Sequence, residues 1–106
     1  MRKKHLRYFL VKLVADNALT KESFHLSLRN STTQFFGEVG LIEIGPEVIA
    51  FNQERYEAIV RCRKKAAEKF RAAIALITEI NGKPAAALVM KTSGTVRALK
   101  EKWARP

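Results

Sequence analysis

An α+β domain, with a four-stranded antiparallel sheet in the chain order β-α-β-β-α-β and an additional C-terminal helix, is the fold class that this 106-residue sequence predicts. Three observations point to it. Four runs rich in apolar and β-branched residues, Leu6 to Val14, Leu41 to Phe51, Tyr56 to Cys62 and Ala85 to Met90, have the length and make-up of strands. Between the first two and the last two, apolar residues recur at a helical period. The composition is globular: 47% hydrophobic and 28% charged, with five Gly and three Pro. Residues 1–106 therefore form one domain, large enough to bury about two thirds of its unfolded surface.

The first strand, Leu6 to Val14, carries apolar residues on both faces. Leu6, Tyr8, Leu10 and Val14 point one way, while Phe9, Val11 and Leu13 point the other. The second face needs a cover, for which a last helix with Val96, Leu99 and Trp103 is one candidate and a protein partner another. Asp16 and Asn17 make a turn, and Thr20 is placed to cap a helix whose positions Phe24, Leu28, Ser31 and Phe35 share a face. Gly37 supplies the stop. The second strand, Leu41 to Phe51, is interrupted by Gly45-Pro46, which suggests a bulge or an edge position because Pro donates nothing to a ladder.

Asn52 to Arg55 reads as a polar turn, and Tyr56 to Cys62 as a third strand completing a hairpin. From Arg63 the period changes. Ala66, Phe70, Ala73, Ile74 and Ile77 fall on one helical face, with Lys64, Glu68, Arg71 and Glu79 opposite. Asn81-Gly82-Lys83-Pro84 ends that helix, Ala85 to Met90 forms the fourth strand, and the basic last helix follows.

This order is the ferredoxin-like pattern shared by RNA-recognition domains. With the spatial order 4-1-3-2, the third and fourth strands both run antiparallel to the first, so their C-terminal ends meet its N-terminal end. Three basic runs then become one surface: Arg2, Lys3, Lys4 and Arg7; Arg61, Arg63, Lys64 and Lys65; Lys91 and Arg97. Glu38, Glu43, Glu47, Glu54 and Glu57 are read as lying in the second and third strands, away from it. Twenty Lys and Arg against ten acids give a net charge of +10 and a pI near 10.2, which favours a polyanion as partner.

Lys91-Thr92-Ser93-Gly94-Thr95-Val96-Arg97 follows a strand and opens a helix. Unpaired N–H groups beside small residues suit a phosphate there, and Arg97 adds a charged fork. Taken alone, plain helix capping explains the run equally well. Its predicted place beside the other basic runs favours Ser93, Gly94, Thr95 and Arg97 as RNA-backbone contacts. A sheet-face RNA binder stacks bases on exposed aromatics, yet the third strand, Tyr56-Glu57-Ala58-Ile59-Val60-Arg61-Cys62, lacks the aromatic signature. Contact is therefore expected mainly with phosphate and shape.

Catalytic chemistry finds little footing. His5 and His25 lie on different elements without ligand spacing, and Asp16, the only aspartate, sits in a turn. Glu43, Glu47 and Glu57 could gather across the hairpin, but no pocket to raise a carboxyl pKa is evident. Cys62 reads as a small core residue, and a single Cys fits a reducing, cytoplasmic setting. The basic start followed by apolar residues superficially resembles a signal peptide. Arg7 and Lys12 interrupt it, and no segment approaches the ~20 apolar residues of a membrane span.

Arg7-Tyr8-Phe9-Leu10-Val11, Ile59-Val60-Arg61-Cys62-Arg63-Lys64 and Ser93-Gly94-Thr95-Val96-Arg97, in this order across nearly the whole chain, resemble the ribonuclease P protein component 2 family. The resemblance implies an RNA-recognition-like fold and a subunit of the ribonucleoprotein that removes the 5′ leader from precursor tRNA. The RNA would be the catalyst, working with Mg2+, and the polypeptide alone non-catalytic, with no cofactor of its own. It also implies ribonuclease P RNA and the TIM-barrel protein subunit (component 3) as partners, in a heterotetramer, with no membrane involved. Two other readings stay open: an RNA-binding protein of another particle, such as a ribosomal one, and a small phosphoryl-handling enzyme.

Overall fold

The two-faced apolar pattern of the first strand places it at the centre of the sheet. In the computed structural model, which describes residues 5–16 and 18–104, the chain runs β1 (Leu6–Ala15), α1 (Lys21–Ile44), β2 (Glu47–Asn52), β3 (Glu57–Arg63), α2 (Ala67–Ala75), β4 (Glu79–Ile80), β5 (Lys83–Ser93) and α3 (Val96–Lys100). Single 3-10 turns, Lys64–Ala66 and Glu101–Ala104, precede α2 and follow α3. The sheet is antiparallel throughout, in the order β2-β3-β1-β5-β4. The expected 4-1-3-2 arrangement is present in it, with β5 as the fourth strand and β4 added beyond β5 at one edge. Lys3, Lys4, Arg2 and Asn17 lie outside the described residues.

The expected four strands are five. Glu79 and Ile80, read as the end of the preceding helix, instead pair with Pro84 and Lys83 across the Asn81-Gly82 turn. A two-residue strand leaves no alternation to read. β5 is also longer than the expected Ala85 to Met90, and it takes in Lys91, Thr92 and Ser93.

Thr20 caps α1 as expected: its hydroxyl accepts from the Ser23 N–H at 3.0 Å, and the Ser23 hydroxyl accepts from the Thr20 N–H at 3.0 Å. Gly37 breaks the helix without ending it. At φ 73° and ψ −179°, a region open to Gly, the axis kinks, and the chain re-enters helix until Gly45. Gly45, at φ 60° and ψ 53°, closes it with its N–H bonded to the Leu41 carbonyl at 2.9 Å. Leu41 to Ile44 are thus helical, correcting the expected strand, and Glu38 and Glu43 ride on α1. The spacing of buried Gly40 and Ile44 is helical, which outweighs the strand propensity of Ile42 and Ile44. Phe35, expected on the buried face, is half exposed, and Thr32 is buried in its place.

Two cores flank β1. On one face, Phe9, Val11 and Leu13 pack with Ala58, Val60 and Cys62 of β3, Phe24 and Leu28 of α1, and Phe70 and Ile74 of α2. Phe9 and Phe70 meet edge to face, with ring centroids 5.4 Å apart. On the other face, Leu10 and Ile59 are sealed by Leu99 of α3, with Tyr8, Val96 and Trp103 packed around them. The Trp103 Nε1–H donates to Glu57 Oε1 at 2.8 Å, fixing the last turn across the sheet. The C-terminal helix is therefore the cover that the second face required.

Leu99→Ala should lower unfolding stability by about 2–4 kcal/mol in urea titration, because it empties a fully buried site between α3 and β1. Val39→Ala, on the exposed side of α1, should change it by no more than about 0.5 kcal/mol.

Candidate nucleic-acid interface

Antiparallel register decides which basic residues meet. Leu6 pairs with Arg63, Arg7 with Cys62 and Tyr8 with Arg61 on one side of β1; Tyr8 pairs with Ser93, Phe9 with Thr92 and Leu10 with Lys91 on the other. The chain leaving β3 stays at this end, since the Lys64 N–H donates to the His5 carbonyl at 2.9 Å. His5, Arg7, Tyr8, Lys64 and Gly94 line a shallow depression of about 290 Å³ there. Segments distant in sequence thus converge on the N-terminal end of β1.

Cross-strand partners point to the same face, so the charges divide between two faces. Arg61 and Lys91 fall on the face covered by α3. Arg7 and Thr92 fall on the face of α1 and α2, where Arg71 Nη2 donates to Thr92 Oγ1 at 3.0 Å and the guanidinium carbon sits 5.6 Å from the Phe9 ring centroid. Arg63, Lys64, Lys65, Lys91 and Arg97 are exposed, whereas Arg61 is half-buried and ion-paired with Glu47. That pairing lowers its availability to an outside anion.

The run from Ser93 to Arg97 is a strand end, a bend and a short helix. Ser93 Oγ accepts from the Thr95 N–H at 3.1 Å, and Thr95 Oγ1 accepts from the Ala98 N–H at 3.4 Å. Two donors that a phosphate would have used are already capped by hydroxyls of the same run. Gly94 lies beside Arg7, so a Cβ there would meet the guanidinium at 4.0 Å. The side chain of Arg97 is left exposed in the first turn of α3.

The acids do not assemble. Glu47 pairs with Arg61, Glu43 with Lys69 at 3.5 Å, and Glu57 bonds to Trp103, so the three carboxylates are held on separate partners. Among the described residues no three His, Cys, Asp or Glu side chains gather as a metal site would require. No described helix is long and apolar enough to cross a membrane. Cys62 is fully buried on the helix-covered face, and burial pushes its thiol up to about 12, against a smaller pull downward from Arg7. Reactive thiols are exposed and low in pKa; this one is neither.

Arg71 was not legible as part of this surface. The sequence places it on the polar face of α2, and only the packing of α2 on β5 brings it to Thr92.

A model of the Rpp14/Pop5 family matches residues 7–104. Ribonuclease P protein component 2 of Pyrococcus horikoshii is 31% identical over 97 residues, spanning 92% of this chain and 81% of that protein. The protein of the same name from Thermococcus gammatolerans is 31% identical over 103 residues, spanning 97% and 85%. A chain in a cryo-EM structure of yeast ribonuclease MRP superposes with a TM-score of 0.69 over 98% of this chain and 95% of that one. At 13% identity this last likeness shows a shared fold.

Burial of Cys62 has a measurable consequence. Its folded pKa, about 12, lies above the ordinary 9.0, so its contribution to stability is full below about pH 9 and is lost as pH rises towards 12. The stability difference between wild type and Cys62→Ala should stay level up to about pH 9 and shift against wild type above it. At pH 8 a thiol reagent should label Cys62 only after denaturant unfolds the chain.

Proposed function

The chain belongs to the Rpp14/Pop5 family, and from that membership we infer that it is a ribonuclease P protein subunit of the component 2 kind, acting in tRNA 5′ maturation as part of a ribonucleoprotein without itself being the catalyst. We read its frame as ferredoxin-like, extended by the edge strand β4. The observation that carries the RNA-binding part of this reading is the convergence of Arg63 and Lys64 with Arg7 and the Ser93-Gly94 bend at one end of the sheet. Lys65, Lys91 and Arg97 extend that pole, Arg61 backs it, and Arg71 joins it from α2. Lys3 and Lys4 precede the strand that leads into it.

The mechanism is electrostatic. Guanidinium and ammonium groups fixed on a rigid sheet neutralise phosphates where RNA strands crowd together, and each neutralised phosphate releases condensed counterions. Fixed cations in such a place lower the Mg2+ that the RNA needs to hold its active shape. Ser93 and Thr95 serve mainly by shaping the bend that presents Gly94 and Arg97, since their hydroxyls are engaged with their own backbone. In this reading the partners are ribonuclease P RNA, precursor tRNA through the particle, and the TIM-barrel protein subunit, in a heterotetramer in the cytoplasm. The exposed apolar residues Phe35 and Val39 on α1 leave room for a protein contact away from the pole.

Replacing Arg63, Lys64 and Arg97 together with Ala should flatten the dependence of log affinity on log salt by about 0.7–0.9 for each lost contact. It should also reduce precursor-tRNA cleavage by the particle reconstituted from RNA and protein subunits. An unchanged slope with unchanged cleavage contradicts the pole.

A further inference from the structure

We propose that the groove beyond the pole, between the re-entrant end of α1 and the β2–β3 edge, seats one unpaired nucleotide of the RNA, with its phosphate on Arg29 and Arg63 and its base against Leu41 and Ile42. This rests on the RNA-binding reading above and adds to it a place and a strand preference. The groove encloses about 580 Å³, within the roughly 300–1,000 Å³ of clefts that take small ligands. Among the described residues its cations are all arginines: Arg29, Arg61 and Arg63. Glu47 neutralises Arg61, and it is the only acid among the described residues that line the groove, so Arg29 and Arg63 are left there as excess positive charge. A guanidinium presents a planar fork to phosphate and a flat face to a base, which an ammonium does not.

The apolar wall supplies the second half of the site. Ile42 is 71% exposed, on the short helical segment that follows the Gly37 kink, and it lines the groove together with Arg29. Gly45 keeps the corner open, since a Cβ there would press on Arg63 Nε at 3.3 Å. Charge and apolar surface side by side match a nucleotide whose base has left its stack. A duplex keeps its bases inside and would offer phosphate alone. Continuity with the pole favours RNA over an acidic peptide: Leu6 lines both cavities, and Arg63 adjoins Lys64 in the chain.

Fluorescence anisotropy of the full chain tests this with three probes of about ten units each: a single-stranded oligoadenylate, an abasic ribose-phosphate strand of equal charge, and an RNA duplex. Ile42→Ser should weaken oligoadenylate binding about three- to tenfold while leaving the abasic strand and the duplex unchanged. Arg29→Ala should weaken both single strands and reduce the oligoadenylate salt slope by about 0.7. If Ile42→Ser leaves all three probes unchanged while Lys64→Ala with Arg97→Ala weakens them, the groove is rejected and the pole stands. If neither set of changes alters any probe, the RNA reading itself fails. Loss of a protein subunit from the reconstituted particle on Ile42→Ser, with RNA binding intact, would make the groove a protein interface and overturn the proposal.

Discussion

The structure depends on β1 being buried on both faces and paired on both edges. Phe9, Val11 and Leu13 anchor one core, while Leu10 and Tyr8 anchor the other. Because β3 and β5 both run antiparallel to it, whatever follows either of them is delivered to the N-terminal end of β1. Burial holds the strand, and topology then collects the charge. No long-range attraction among Arg63, Lys64 and Arg7 is needed to bring them together; like charges at this end repel, and apolar packing along the strand has to outweigh that repulsion.

That arrangement also explains why the sheet surface is unavailable to bases. Leu99, Val96 and Trp103 occupy the face on which RNA-recognition domains stack their ligand, and the Trp103 to Glu57 bond closes it. In the proposed reading, recognition moves from the face of the sheet to its end, from aromatic stacking to phosphate contact. Glu43, Glu47 and Glu57 are held on separate cationic and indole partners, so these three do not gather as a pair that could share a proton. A surface of this kind can hold RNA in shape, and the chemistry stays with the RNA.

Much of this was legible in the residues because it rests on local rules. The alternation of β1, the Thr20 cap, and the Phe70, Ala73 and Ile74 face each follow from one period or one cap, and the structure places them as read; Ala66 and Ile77, read on the same helical face, are buried but lie in the 3-10 turn before α2 and in the chain after it. The errors fall where a short segment satisfies two rules at once. Leu41 to Ile44 is too short for period to choose between helix and strand, and Gly37 carries the same signal for a kink as for a stop. Glu79 and Ile80 become a strand only because Lys83 and Pro84 offer an edge to pair with. The hydroxyls of Ser93 and Thr95 look alike whether they cap a helix or await a phosphate; only hydrogen-bond geometry separates the two. Arg29 and Arg71 reach their sites through tertiary packing, which no local pattern records.

The most direct test maps the RNA from the protein outward. Cys62 is fully buried and its thiol is pushed up to about 12, so with Cys62 expected to stay unlabelled in the folded protein, a hydroxyl-radical probe tethered to a cysteine introduced at Lys64→Cys should report from the pole alone. A second probe at Glu54→Cys, on the turn at the far end of the β2–β3 hairpin, serves as reference. In the reconstituted particle the account predicts strong, localised RNA cleavage from position 64 and little from position 54. Equal cleavage from both, or cleavage only from position 54, would contradict the claim that the end of β1 is where this protein meets RNA.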